Sequence, residues 1–595
     1  MSSSRDDLQS LRQFAVWAPD RERVELLLGT DRLPMSRAGD GWWRLEAPGA
    51  TGTAYAFSLD GGEPRPDPRA RHLPDGVHGW SVVFDPGEFE WSDGGWPGTD
   101  LASAVVYELH VGTFTPAGTL DAATERLDHL VALGIDLVEL MPVAAFPGRH
   151  GWGYDGVALY AVHEPYGGPA ALQRFVNACH AKGLGVCLDV VYNHLGPSGN
   201  YLREFGPYFT DRYSTPWGDA VNLDGAGSDG VREFFLDNAR QWFVDFRLDA
   251  LRLDAVHALY DTRAQILLEA LSAQADSLSE QAGRPLWLIA ESDRNDPATV
   301  LPRASRPGLP GGTGLHAQWA DDVHHALHVQ LTGETDGYYS DFAVDGALAK
   351  VLTTPFFHDG SWSSFRRRHH GAPIDPAETP GWRFVASLQT HDQVGNRAHG
   401  ERISAIASSG RVACGAALLL TAPYTPMLFM GEEWAASTPW QFFTDHQEPE
   451  LVESIREGRR AEFASHGWGD GVPDPQHPDT LARSRLDWDE RAAPEHARML
   501  AWYAELVALR RARADLRDPR LDRVGVTHDV TEQTVLVHRG RHRVLVNLST
   551  DERAFTLGEQ DSALQILAAW RDGAVLTPGG VVVLEAETAC VLGPE

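Results

Sequence analysis

Four short blocks of this 595-residue chain end in side chains that could act together on one bond. They are Asp189-Val-Val-Tyr-Asn-His194, Arg252-Leu-Asp254-Ala-Val-His257, Ala290-Glu291-Ser-Asp and Thr390-His391-Asp392-Gln393. Each closes an apolar run of strand length, so the polar groups fall where strands stop. Such a set suits cleavage of a glycosidic bond. Its oxocarbenium-like transition state needs an ionised carboxylate beneath the anomeric carbon and a protonated carboxyl beside the departing oxygen. Arg252 and Asp254 are two apart on one strand and share a face. The guanidinium keeps that carboxylate ionised by charge pairing, as a nucleophile requires. Glu291 follows Leu288-Ile-Ala, where partial burial raises a carboxyl toward the range of a general acid. Asp392 is a third carboxylate able to orient sugar hydroxyls and stabilise positive charge, and His194 and His391 are donors for the same hydroxyls. This assignment predicts retention of anomeric configuration, with the carboxyls of Asp254 and Glu291 about 5–5.5 Å apart. Singly, each residue has a plainer reading as a helix N-cap, a core histidine or a surface ion pair. Their recurrence at the ends of several strands in one pattern favours the catalytic reading.

The elements that must position them are legible as a series. Apolar runs at residues 105–110, 135–141, 184–191, 246–254, 287–291, 315–319, 384–391 and 426–430 alternate with helical segments or long loops. Repeated strand–helix units imply a parallel sheet, and eight imply a closed (β/α)8 barrel with its site at the C-terminal strand ends. Before it, Phe14-Ala-Val-Trp, Val24-Glu-Leu-Leu-Leu and Ala54-Tyr-Ala-Phe are separated by Gly, Pro and Asp clusters, as in an immunoglobulin-like β-sandwich. An amphipathic stretch at residues 499–516 should end the barrel, and β patterning returns in Thr534-Val-Leu-Val, Val544-Leu-Val and Val581-Val-Val-Leu. The expected units are 1–98 (N-terminal sandwich), 99–520 (barrel with loop insertions) and 521–595 (C-terminal β-sandwich).

Composition narrows the partners. With 51 basic and 83 acidic side chains, the net charge of −32 disfavours nucleic acid and anionic membranes. The four cysteines, Cys179, Cys187, Cys414 and Cys590, form no CxxC pair and suit a reducing compartment. The polar first residues show no signal-peptide core, and residues 413–430, though apolar, carry Pro423 and Pro426 and read as a buried helix–turn–strand. A cytoplasmic monomer is expected. The glycines at 308–314 fit neither a dinucleotide nor a phosphate-loop spacing and read as a flexible loop. No organic cofactor and no metal centre is expected.

The four blocks resemble the conserved regions of the α-amylase family of glycoside hydrolases, and the likeness covers essentially the whole chain. It implies Asp254 as nucleophile, Glu291 as acid/base and Asp392 as transition-state stabiliser. It also implies that Arg252, His194 and His391 bind the sugar at the cleavage point, and that Tyr154 in Gly153-Tyr-Asp stacks on it. His257, Trp319 and the loop aromatics Trp152, Trp217, Tyr338, Tyr339 and Trp440 are further sugar-contact candidates. Asn193 matches a position that helps hold calcium in many amylases, without a dense oxygen-ligand loop around it. Residues 314–328, His391-Asp-Gln-Val-Gly-Asn-Arg397 and Gly431-Glu-Glu-Trp are similar to members that cut maltooligosyltrehalose beside its terminal trehalose, acting after the synthase that makes it. Thr390 departs from the Asn that many relatives carry before the His-Asp pair. The competing expectation is a branching or debranching enzyme acting on α-1,6 linkages, since fold does not decide function. A non-catalytic binding member of the fold is disfavoured by the complete carboxylate set.

Overall fold

A computed structural model describes residues 11–595 except 306–310, 465–470, 559–560, 562 and 578–579. The leader reading at residues 1–10 and the loop reading at Gly308 lie outside the described residues.

All eight expected runs form strands of one closed parallel barrel. In chain order they are β1 (Val106–Leu109), β2 (Leu137–Leu140), β3 (Gly185–Val190), β4 (Ala250–Leu253), β5 (Trp287–Ala290), β6 (Ala317–Trp319), β7 (Phe384–Ser387) and β8 (Thr425–Phe429), and β8 pairs with β1 to close the ring. Their side chains are almost all buried, because helices cover the outside while other strands fill the lumen. Small and branched residues pack the lower lumen, among them Val106, Leu137, Cys187, Ala250 and Ile289. The apolar stretch near Pro423 is a buried helix, Ser409–Thr421, turning into β8, as its prolines suggested. The barrel is followed by a helix at Pro494–Ala512.

The flanks are β structures. The first strands form a three-stranded sheet facing a four-stranded one, and residues 524–593 form sheets of five and three strands. The N-terminal sandwich docks through Trp17, whose indole packs edge-on to Tyr208. A Cβ on Gly230 would lie 2.3 Å from that indole, so the close approach requires glycine there. Arg65 of the sandwich pairs with Glu204 of the barrel insertion at 2.9 Å. All four cysteines are free and buried. No helix among the described residues is long and apolar enough to cross a membrane.

Candidate active site

Strand register brings the polar groups together. Asp189 on β3 is level with Arg252 on β4, and Leu253 with Ala290 on β5. The ladder continues one step beyond the strands: the Asp254 amide donates to the Val190 carbonyl, and the Glu291 amide to the Leu253 carbonyl. Asp254 and Glu291 are therefore neighbours at the mouth, each following the last residue of its strand. Arg252 is 2% exposed. Its Nη1 donates to Asp189 Oδ2 at 2.8 Å and to Asp254 Oδ1 at 2.7 Å, while Nη2 lies 3.8 Å from Glu291 Oε2. One buried guanidinium thus faces three acids, of which the two-residue spacing pointed only to Asp254.

Burial, with further contributions from Asp254, Asp321 and Asp392, pushes Glu291 up to about 8 against the opposing pull of Arg252. Ala255 takes a left-handed turn, φ 38°, directly after Asp254. That turn aims the Ala255 amide at Glu291 Oε2, 2.7 Å away. Asp392 sits on the one-and-a-half-turn helix His391–Gly395, capped by the Thr390 hydroxyl, which accepts from the Asp392 amide. Its carboxylate is exposed toward the recess, and its Oδ1 accepts from Asn396 Nδ2 at 2.8 Å.

Tyr154 is the hub of a second set of contacts. Gly153, at φ 103° with its Cβ position 2.4 Å from the Pro142 carbonyl oxygen, makes the turn that presents it. The Tyr154 hydroxyl donates to Asp189 Oδ2 at 2.6 Å and lies 2.8 Å from His391 Nε2. His194 Nε2 lies 3.0 Å from the Tyr154 carbonyl, and Trp217 stacks on the His194 ring at 4.4 Å. Burial lowers the pKa of His194 and of His257. His257, half-buried, accepts from the Asp293 amide at 3.2 Å.

Three acids escaped the sequence reading. Glu108 on β1 accepts from the His391 backbone amide at 2.9 Å and from its Nδ1. Burial opposes charge on His391, but Glu108 prevails and raises it to about 9. The register neighbour of Glu108 on β2, Glu139, is 1% exposed, and neither carboxyl oxygen has a partner. Burial and then Glu108 raise its pKa well above the ordinary carboxylate value. Both could have been noticed as an isolated Glu within otherwise apolar lumen strands. Asp321, at the start of the helix after β6, was also missed. It borders a recess of about 190 Å³ with Asp293, Tyr338, Arg366 and Asp392, and burial followed by Asp392 raises it to about 7.

The aromatic candidates separate. Trp319 is 4% exposed, and the Arg252 guanidinium covers its ring 4.3 Å from the centroid. Its contact with the site therefore runs through Arg252. Trp152 and Trp440 are buried and stack on each other, and Tyr339 is buried against His328. Trp217 is exposed, and Tyr338 is half-buried at the recess. Asn193 Oδ1 is buried without a partner, while its amide nitrogen lies 2.9 Å from His194 Nδ1.

The alpha-amylase catalytic-domain family matches residues 84–215. A crystal structure from Salmonella typhimurium assigned to the alpha amylases is 36% identical, covers 98% of each chain and superimposes with a TM-score of 0.88. The chain is a glycoside hydrolase of the α-amylase family. It is 52% identical to malto-oligosyltrehalose trehalohydrolase of Rhizobium sp. (strain M-11) over 98% of both chains. With that of Arthrobacter ramosus it shares 58% identity over 84% of this chain and 87% of the other. It belongs to the malto-oligosyltrehalose trehalohydrolase family.

Proposed function

We propose that the protein hydrolyses the α-1,4-glucosidic bond next to the terminal trehalose of maltooligosyltrehalose, releasing trehalose and a maltooligosaccharide. The reading rests on one observation above all: Arg252 contacts Asp254 at 2.7 Å, while Glu291, on the next strand, is buried enough to be raised to about 8. Asp254, ion-paired with Arg252, is the nucleophile and attacks the anomeric carbon. Glu291 carries the proton for the departing glycosidic oxygen and then takes one from the incoming water. Asp392 stabilises the oxocarbenium charge. Tyr154, His194, Arg252, His257 and His391 hold the sugar at the cleavage point, with His391 donating as a cation, and Trp319 supports Arg252 from below. The three units 1–98, 99–520 and 521–595 act as one cytoplasmic monomer, downstream of a synthase that builds the trehalose end.

Incubation with maltotriosyl trehalose and, separately, with a branched glucan tests this reading through the products. Free trehalose and maltotriose from the first, with the second untouched, is the expected outcome. Debranching or branch transfer without trehalose release would move the protein to the α-1,6-acting alternative.

A further inference from the structure

Between the N-terminal sandwich and the barrel lies a second recess, of about 290 Å³, lined by none of the site residues assigned above. Arg12, Arg69, Arg71 and Arg240 all line it. Two of these guanidinium groups are already neutralised: Arg69 pairs with Asp237 at 2.6 Å, and Arg71 with Asp245 at 2.5 Å. The remaining acid, Asp67, is spoken for. It accepts from the Tyr55 hydroxyl and the Arg69 amide, each at 2.8 Å, and burial raises its pKa. Arg12, on the strand Leu11–Trp17, and Arg240, on the helix Ser228–Val244, make no hydrogen bond or ion pair among the described residues. In a chain of net charge −32, a recess lined by four arginines against three aspartates, with two of the arginines unpaired, runs against the molecular average. An acidic chain gains nothing in solubility by concentrating arginine there.

The form of the recess narrows the ligand. Arginine presents a planar fork of donors that matches a tetrahedral oxyanion, and two such forks balance a doubly charged one. Phe84 adds ring surface and Gln13 an amide to the same space, while Tyr55 and Gln241 are buried behind them with their polar atoms already hydrogen-bonded. An open ring and an amide beside a pair of cations suit a polar ring that carries an anionic group. We propose that this interdomain recess binds a sugar phosphate, with Arg12 and Arg240 on the phosphate and the aromatic side on the sugar. The site is separate from the hydrolytic centre and does not depend on which glucan that centre cuts.

Calorimetric titration of the full chain with glucose 1-phosphate, at constant ionic strength, tests this. One saturable site per chain is expected, with unphosphorylated glucose giving none. Replacing either arginine, as Arg12→Gln or Arg240→Gln, should weaken binding by about tenfold, and both together by more. Turnover of α-glucan without the phosphate should stay unchanged in both variants. The proposal is overturned if glucose 1-phosphate shows no saturable binding. It is equally overturned if the double variant binds as the wild type does, or if a maltooligosaccharide displaces the ligand.

Discussion

At the scale of single residues, the chemistry depends on a proton placed on one acid and kept off its neighbour. Glu291 is raised to about 8 chiefly by burial, so it carries its proton at neutral pH, while Asp254 shares the Arg252 guanidinium with Asp189. The acid step requires protonated Glu291, so kcat/KM should fall as pH rises above about 8. Glu291→Gln should lower kcat by about 10²–10⁴-fold and leave substrate affinity nearly intact. A steady-state pH profile of wild type and variant checks both, and the variant should lose the alkaline limb. Glu108 acts one contact further out, as a positioning residue for His391. Tyr154, Asp189, Arg252, Glu139, Asp392 and His110 are the titratable and charged groups around that pair. Glu108→Gln removes the charge that holds the imidazole cationic, so the His391 resonance should titrate at lower pH than in the wild type. A fall of about tenfold in kcat/KM should accompany that shift. An unchanged His391 titration would remove Glu108 from the sugar-binding apparatus.

Among elements, the barrel was readable because its strands are buried on both sides and appear as uninterrupted apolar runs. Asp189, Arg252, Glu291 and His391 were readable because each interrupts or follows such a run. Glu108 and Glu139 were harder to see. Each stands inside a strand with apolar neighbours, and Glu108 meets its partner 283 positions away in the chain. Local spacing holds no trace of that contact. Burial of Trp152, Trp319 and Trp440 was hidden for the same reason, since loop position says nothing about what folds over a ring. Gly153 shows how an element fixes a side chain. Its φ of 103° and the 2.4 Å approach of the Pro142 carbonyl both exclude a Cβ. Gly153→Ala should cost about 2 kcal/mol in urea unfolding and displace Tyr154. Activity should therefore fall further than the stability loss alone explains, as measured well below the unfolding midpoint.

The whole molecule carries an excess of buried acid that makes its stability pH-dependent. Glu432, in Gly431-Glu-Glu-Trp, lies beside β8 at 1% exposure. Burial raises it to about 8, against hydrogen bonds from Tyr503, the Phe429 amide and Gln389. In the unfolded chain a glutamate titrates near about 4.3. The folded state therefore binds the proton more tightly, and the stabilising contribution is fully present below about pH 4.3 and lost as pH rises toward about 8. Glu432→Gln cannot titrate. Its melting temperature relative to wild type should rise between pH 5 and pH 8 and level off above, which scanning calorimetry reads directly. Arg252 is itself buried, so its contacts with Asp189 and Asp254 count for more than they would in water.

The covalent intermediate tests the central assignment most directly. The Glu291→Gln enzyme is incubated with an activated, fluorinated α-glucosyl donor, and its peptides are analysed by mass spectrometry. A glycosyl adduct on the peptide bearing Asp254, at its carboxylate, is the predicted result. An adduct on Asp189 or Asp392, or no adduct while the donor is still consumed, would contradict it.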